Sequence, residues 1–115
     1  MYRANLRSPV ARQLKVLFNV LALSDLVDEV KRISDKIVLF GSCAEGTDVK
    51  DSDMDLFTLT SNAETFNREV RRCEQKIDRK LSLIVVNPNE FTKMKTRDTP
   101  LYERVSRDMT LWERE

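Results

Sequence analysis

The sequence has no histidine. That excludes imidazole acid–base chemistry, Ser-His-Asp triads and His-ligated zinc. It has two cysteines, Cys43 and Cys73, thirty residues apart and outside any CxxC spacing. No disulfide framework follows, and a cytoplasmic location is the default expectation. No apolar run approaches the ~20 residues of a membrane span. The first residues, with Arg3 and Arg7, lack the apolar core of a signal peptide. Net charge is also missing: twenty basic residues stand against nineteen acidic ones, so bulk charge does not argue for nucleic acid or membrane. Glycine is scarcest of the turn formers. There are two, Gly41 and Gly46, and both fall in one short stretch.

What is present fits a folded chain. Apolar residues make up 41% and charged residues 34% of 115 positions, enough for one compact domain with a modest core. Residues 1–115 are expected to form a single domain, with 1–7 as an extended arm. Ser8-Pro9 reads as a helix cap followed by a first-turn proline. Val10, Leu14, Leu17, Phe18 and Leu21 then mark one helical face. Ser24 reads as a second cap, opening a helix on Leu26, Val27, Val30 and Ile33. Ile37–Phe40 is a short apolar run without alternation, the pattern of a strand covered on both sides. Residues 43–52 form a loop with one helical turn at its start. Met54–Thr60 alternates as a second strand. Ser61-Asn62-Ala63-Glu64 has capping-box spacing, and Phe66, Val70, Cys73 and Ile77 form the stripe that follows. Arg68, Arg71, Arg72 and Lys76 lie mostly off that stripe, as a solvated face. Leu81–Val86 is a third strand. Asn87-Pro88 and Thr99-Pro100 each repeat the cap-then-proline device, and Met109–Trp112 reads as an edge strand. The order predicts an α/β (α+β) fold: a small mixed sheet flanked by helices, two of them N-terminal.

The chemistry concentrates between Ile37 and Leu59. Five acidic residues (Glu45, Asp48, Asp51, Asp53, Asp55) fall within eleven positions. Strand alternation puts Asp53 and Asp55 on one face, with Cα atoms ~6.6 Å apart, and turns Met54 to the other. Two such carboxylates suit Mg²⁺, whose remaining shell is commonly substrate phosphate and water. Gly41-Ser42, closing the buried strand, supplies backbone amides and a hydroxyl for that phosphate. Asp-x-Asp alone occurs in many acidic turns, and Gly-Ser alone carries less. The combination is specific: buried strand, Gly-Ser, ten residues, Asp-x-Asp, apolar strand, with both glycines in the loop.

Gly41-Ser42-Cys43-Ala44-Glu45-Gly46, followed by Asp51-Ser52-Asp53-Met54-Asp55-Leu56, resembles the motif of the DNA polymerase β-like nucleotidyltransferase superfamily. The similarity is greatest to its minimal nucleotidyltransferase domains. It extends to Tyr2-Arg3-Ala4-Asn5, Ser8-Pro9 and the Leu14–Leu21 helix, and to Val86–Phe91, which are similar to a prokaryotic group carrying a preceding winged-helix domain. On that resemblance the chain begins where the winged helix ends, either as a stand-alone version or as part of a longer protein. The resemblance implies Mg²⁺- or Mn²⁺-dependent transfer of a nucleoside monophosphate from an NTP, ATP first, to a hydroxyl of protein, RNA or small molecule. Gly41 and Ser42 would hold the β- and γ-phosphates, and Asp53 and Asp55 would hold the metal and carry catalysis. It also implies partners: a HEPN-type toxin, adenylylated on tyrosine by an antitoxin of this kind, or a covalently linked DNA-binding domain. The long amphipathic first helix separately offers an interface for a homodimer, although a helix covering its own domain's sheet is the commoner arrangement.

Two positions depart from the family pattern. The third carboxylate expected on the Leu81–Val86 strand falls at Ser82, and the usual arginine of the loop is Glu45. These departures set out a competing expectation, a nucleotide-binding regulatory module with weak or no turnover. A purely structural role would leave the Asp53/Asp55 pair without a purpose.

Overall fold

A computed structural model describes residues 8–49 and 52–114. The extended arm expected over 1–7, and Lys50 and Asp51 of the acidic loop, lie outside the described residues. Pro9 opens α1 (Pro9–Val30), where its fixed φ and missing N–H suit the first turn. The two N-terminal helices expected from the sequence are one continuous helix of 22 residues, closed by a 3₁₀ turn at Lys31–Ile33. Ser24 does not cap anything. Its hydroxyl donates to the Leu21 carbonyl one turn back, which lets a serine sit inside a helix. With no glycine or proline between Val10 and Ile33, nothing breaks the run.

The chain then builds β1 (Lys36–Phe40), the one-turn α2 (Ser42–Glu45) and β2 (Met54–Leu59). It continues through α3 (Ala63–Glu74), β3 (Leu81–Val86), α4 (Pro88–Arg97), α5 (Thr99–Arg107) and β4 (Met109–Glu113). The sheet order is β3-β2-β1-β4. β2 and β3 run parallel across the α3 crossover, and the other neighbours are antiparallel, so the sheet is mixed as expected. Met109–Glu113 pairs at the β1 edge with a shift in register between Ile37 and Val38.

Ser8 precedes α1 as expected but its side chain makes no capping hydrogen bond; of the later cap expectations, those at Ser61 and Thr99 fail and that at Asn87 holds. Asn62, not Ser61, precedes α3, and its backbone amide is taken by the Thr60 hydroxyl. Asp98, not Thr99, precedes α5, while the Thr99 hydroxyl donates back to Lys95. At α4 the Asn87 side chain accepts from the Glu90 amide at 2.8 Å and the Glu90 carboxylate accepts from the Asn87 amide at 3.1 Å. That reciprocal pair is a complete capping box.

Alternation along the strands sorts the core into two layers. Ile37, Leu39, Met54 and Leu56 pack with Leu23, Leu26, Phe66 and Val70 under α1 and α3. Val38, Phe40, Phe57 and Val86 pack with Met94 and Val105 under α4 and α5. Phe91 bridges that second layer, with ring centroids 5.8 Å from Phe57 and 5.4 Å from Tyr102. β1 is therefore buried on both faces, which explains its unbroken apolar run.

Candidate active site

The site forms at the end of the sheet where β1 leaves and β2 enters. Phe40, the last residue of β1, lies opposite Asp55 in the antiparallel register. Asp55 in turn lies beside Ser82 in the parallel register with β3. Paired residues share a face, so Phe40, Asp55 and Ser82 form one row on the α4/α5 side. Those helices cover the Phe57 level of the sheet, and Ser82 in the row above it stays exposed. Met54 is fully buried in the opposite layer. Its neighbour Asp53 is exposed at the strand entry, and Asp55 is half-buried. The inward–outward alternation expected for Asp-Met-Asp is thus present.

Gly41 makes the turn from β1 into α2 with φ of 74°, a region side-chain-bearing residues avoid. A Cβ placed on it would stand 2.6 Å from Oδ2 of Asp55. Only glycine lets this backbone run against the carboxylate. Ser42 starts α2, where the first amides of a helix have no partner in their own turn. Gly41, Ser42 and Asp55 are therefore brought together, with Asp53 two residues before Asp55. Gly46 has a different task. At φ 75° it closes α2, and a Cβ there would lie 2.4 Å from the Arg12 carbonyl oxygen on α1.

The acidic stretch is not one cluster. Asp48 is only 3% exposed and points away from the site. Its Oδ2 accepts from Arg79 at 3.1 Å and its Oδ1 from the Asn19 amide at 3.2 Å. Lys15 donates to its carbonyl. Arg79 also donates twice to the Ser52 carbonyl and once to the Cys43 sulfur. Asn19 reaches the Cys43 carbonyl as well. A charged and amide network from α1 and the α3–β3 connection thus ties down both ends of the Gly46–Ser52 loop. Sequence reasoning missed Asn19 and Arg79. Asn19 interrupts an apolar helix and is the weak signal that was there. Arg79 carried none.

Cys43 is fully buried and is not a reactive thiol. Burial raises its pKa, the negative charge of Asp48 adds to the rise, and Arg79 opposes it. Arg104 of α5 stands 5.8 Å from the centroid of the Phe40 ring, a cation–π placement at the border of the site.

Among the described residues no group of three or more metal-ligating side chains is present. The donor set is Asp53 and Asp55, with the Ser82 hydroxyl beside them. Two carboxylates fit Mg²⁺ in the form where substrate and water complete the shell, and do not fit an all-protein cage. A cleft of about 560 Å³ lies elsewhere, between α1 and α3. Asp25, Asp28 and Glu29 face Arg72 and Lys76 across it, and an Arg72–Glu29 ion pair at 3.6 Å partly closes it. Among the described residues no helix is long and apolar enough to cross a membrane.

Comparison with known proteins matches this architecture. A search of curated protein sequences finds no match. The crystal structure of a Sulfolobus solfataricus protein described as a putative nucleotidyltransferase is similar at TM-score 0.56 and 18% identity, over 99% of this chain and 93% of that one. The crystal structure of a mutant MntA–HpeT toxin–antitoxin is similar at TM-score 0.57 and 17% identity, over 84% of this chain and 74% of that one. At such identities the likeness is one of fold. The family model described as a nucleotidyltransferase domain matches residues 23–108, which span β1, the Gly41-Ser42 turn, Asp53, Asp55 and Ser82. With the fold and the sequence model in agreement over three quarters of its length, the chain belongs to the nucleotidyltransferase domain family.

Proposed function

We propose that the chain transfers a nucleoside monophosphate from an NTP to an acceptor hydroxyl at the end of the sheet marked by Gly41, Ser42, Asp53 and Asp55. The observation that carries this reading is the approach of the Gly41 backbone to the Asp55 carboxylate. It puts the phosphate-facing turn and the metal-facing strand within one ligand's reach. Gly41 and Ser42 hold the β- and γ-phosphates through backbone amides and the hydroxyl. Asp53 and Asp55 hold Mg²⁺ or Mn²⁺. The metal, when bound, neutralises charge on the phosphates and on the leaving pyrophosphate. The acceptor oxygen attacks the α-phosphorus in line, the bond to the β-phosphate oxygen breaks, and pyrophosphate leaves. Arg104, over Phe40, adds positive charge at the rim that Glu45 does not provide.

The acceptor's proton is the open position in this chemistry. Ser82 sits beside Asp55 where a third carboxylate would serve as base. A serine does not take that proton unaided, so it passes to solvent or to a group on the acceptor. This same observation favours a second reading, a regulatory module that binds NTP and a partner without turnover. The similarity to a toxin–antitoxin structure supports a protein acceptor, and the partner class we assign is a HEPN-type toxin. A linked DNA-binding domain is the alternative association for the regulatory reading.

Incubation with labelled ATP, GTP, CTP or UTP and Mg²⁺ or Mn²⁺, with and without candidate acceptors, separates the two. Metal-dependent label transfer that disappears in Asp53→Asn supports the transferase. Nucleotide binding without transfer or pyrophosphate release supports the regulatory module. Failure to bind either nucleotide or metal overturns both.

A further inference from the structure

The apolar face that identifies α1 as a helix in the sequence is not the face it buries. Val16, Asn19, Leu23, Leu26 and Val30 point into the protein, at spacings of three, four, three and four. Val10, Leu14, Leu17, Phe18 and Leu21 lie outside, 47% to 64% exposed. At 3.6 residues per turn the centres of the two stripes are about 180° apart. The helix therefore has two apolar seams, and its own domain uses one.

We propose that the outer seam is the interface of a dimer of this chain, with α1 of one copy packed along α1 of the other. Spacing supports this first. Val10, Leu14, Leu17 and Leu21 recur at four, three and four residues, the repeat that lets two helices interlock, with Phe18 flanking it. Charge supports it second. From Pro9 to Ser24 the only charged residues are Arg12 and Lys15. Both belong to the inner side: the Arg12 backbone lies against Gly46, and Lys15 donates to Asp48. From Val10 to Leu21 the outer seam thus carries no charge, and the exposed Asp25 and Asp28 follow it on the same face.

Area supports it third. With roughly 150–200 Å² of surface on each large apolar residue, these exposures leave about 500 Å² in one stripe. Two copies face to face remove about 1,000 Å² from water, at the threshold for a specific interface. A self-complementary stripe closes on itself about a two-fold axis and leaves no open end. The inner face of the same turns carries the site loop, through Asn19 to Cys43 and Arg12 to Gly46. Pairing the outer seam holds that platform rigid in both copies.

The test is sedimentation equilibrium of the full chain from about 1 to 100 µM, the range in which an interface of this size associates. The average mass is expected to rise from one chain toward two. Leu17→Asp and Phe18→Asp should each hold it at one chain while leaving the far-ultraviolet circular dichroism unchanged, because neither side chain enters the core. Leu17→Met should retain the dimer. A wild-type chain that stays monomeric throughout the range overturns the proposal, whether because residues 1–7 or another protein take the seam. A dimer that persists in both aspartate variants overturns it as well, since the contact then lies on another face. Nucleotide binding does not enter either measurement, so the result is independent of the functional reading above.

Discussion

Gly41 and Gly46 both have positive φ but occupy different regions of backbone space, with ψ of −156° at Gly41 and the left-handed 21° at Gly46, and substitution at each separates their roles. Alanine at 46 meets the Arg12 carbonyl of α1, part of a helix that does not yield. Gly46→Ala is expected to lower the unfolding free energy by about 2–4 kcal/mol, read from urea denaturation midpoints. Alanine at 41 meets the end of the Asp55 side chain, which can turn away. The backbone of Gly41 also lies in a region essentially reserved for glycine, so Gly41→Ala should cost about 1–3 kcal/mol of stability in strain and lower nucleotide transfer or metal-dependent binding by about 10²-fold, since Asp55 is displaced by an ångström or so. Cys43 makes a pH prediction. Its pKa is raised above 9.0 by burial first and by Asp48 second. The folded state then keeps the thiol protonated where the unfolded chain has lost the proton. The stabilisation is complete below the ordinary thiol pKa and is lost as pH rises through the raised one. Unfolding free energy measured from pH 8 to pH 10 should fall with pH, and Cys43→Ala should flatten that part of the slope.

Elements here are joined by a few long-range ties, and the Arg79 network is the most consequential. The connection from α3 to β3 holds the loop between α2 and β2 through Asp48 and Ser52, while α1 holds it from the other side through Asn19 and Lys15. Arg79→Ala leaves Asp48 buried without its cation and is expected to destabilise by about 3 kcal/mol in thermal or chemical denaturation. Asp48→Asn in the same background should recover part of that loss, because no charge is then stranded. The capping outcomes have the same logic in miniature. Asn87 and Glu90 satisfy each other with neighbours in sequence, so the pattern was legible. At Ser61–Glu64 the same spacing lost to Thr60, whose hydroxyl is fixed between the Ile33 carbonyl and the Asn62 amide by tertiary structure.

At the scale of the whole molecule, one sheet carries a core on each face and leaves the Phe40–Asp55–Ser82 row open at one end. A ligand that binds this open end only in the folded state stabilises the whole fold. NTP with Mg²⁺ at about 100 times its dissociation constant should add about 2.7 kcal/mol and raise Tm by about 10 °C. Asp55→Asn should abolish the metal-dependent part of that shift, and a shift that survives it would move the nucleotide site elsewhere.

The sequence alone determined the parts whose causes are local. The strands, the mixed α/β order and the strand–Gly-Ser–Asp-x-Asp string follow from alternation, apolar runs and the scarcity of glycine, each legible within about twenty residues. Ser82 was singled out by the resemblance to the family pattern, and its place beside Asp55 is set by the parallel register of β2 and β3. Tertiary structure decided what depends on distant partners. It merged two expected helices into one, because Ser24 bonds within the helix when nothing downstream stops it. It took Asp48 out of the acidic loop, because Arg79 and Asn19, each about thirty residues away, compensate a buried carboxylate. It also chose which apolar stripe of α1 goes inside. A helix with apolar residues on two opposite faces has no preference written in its own turns. Only the shape of the sheet and the Gly46 loop, which accept Asn19 and Leu23 and leave Leu17 and Phe18 outside, make that choice.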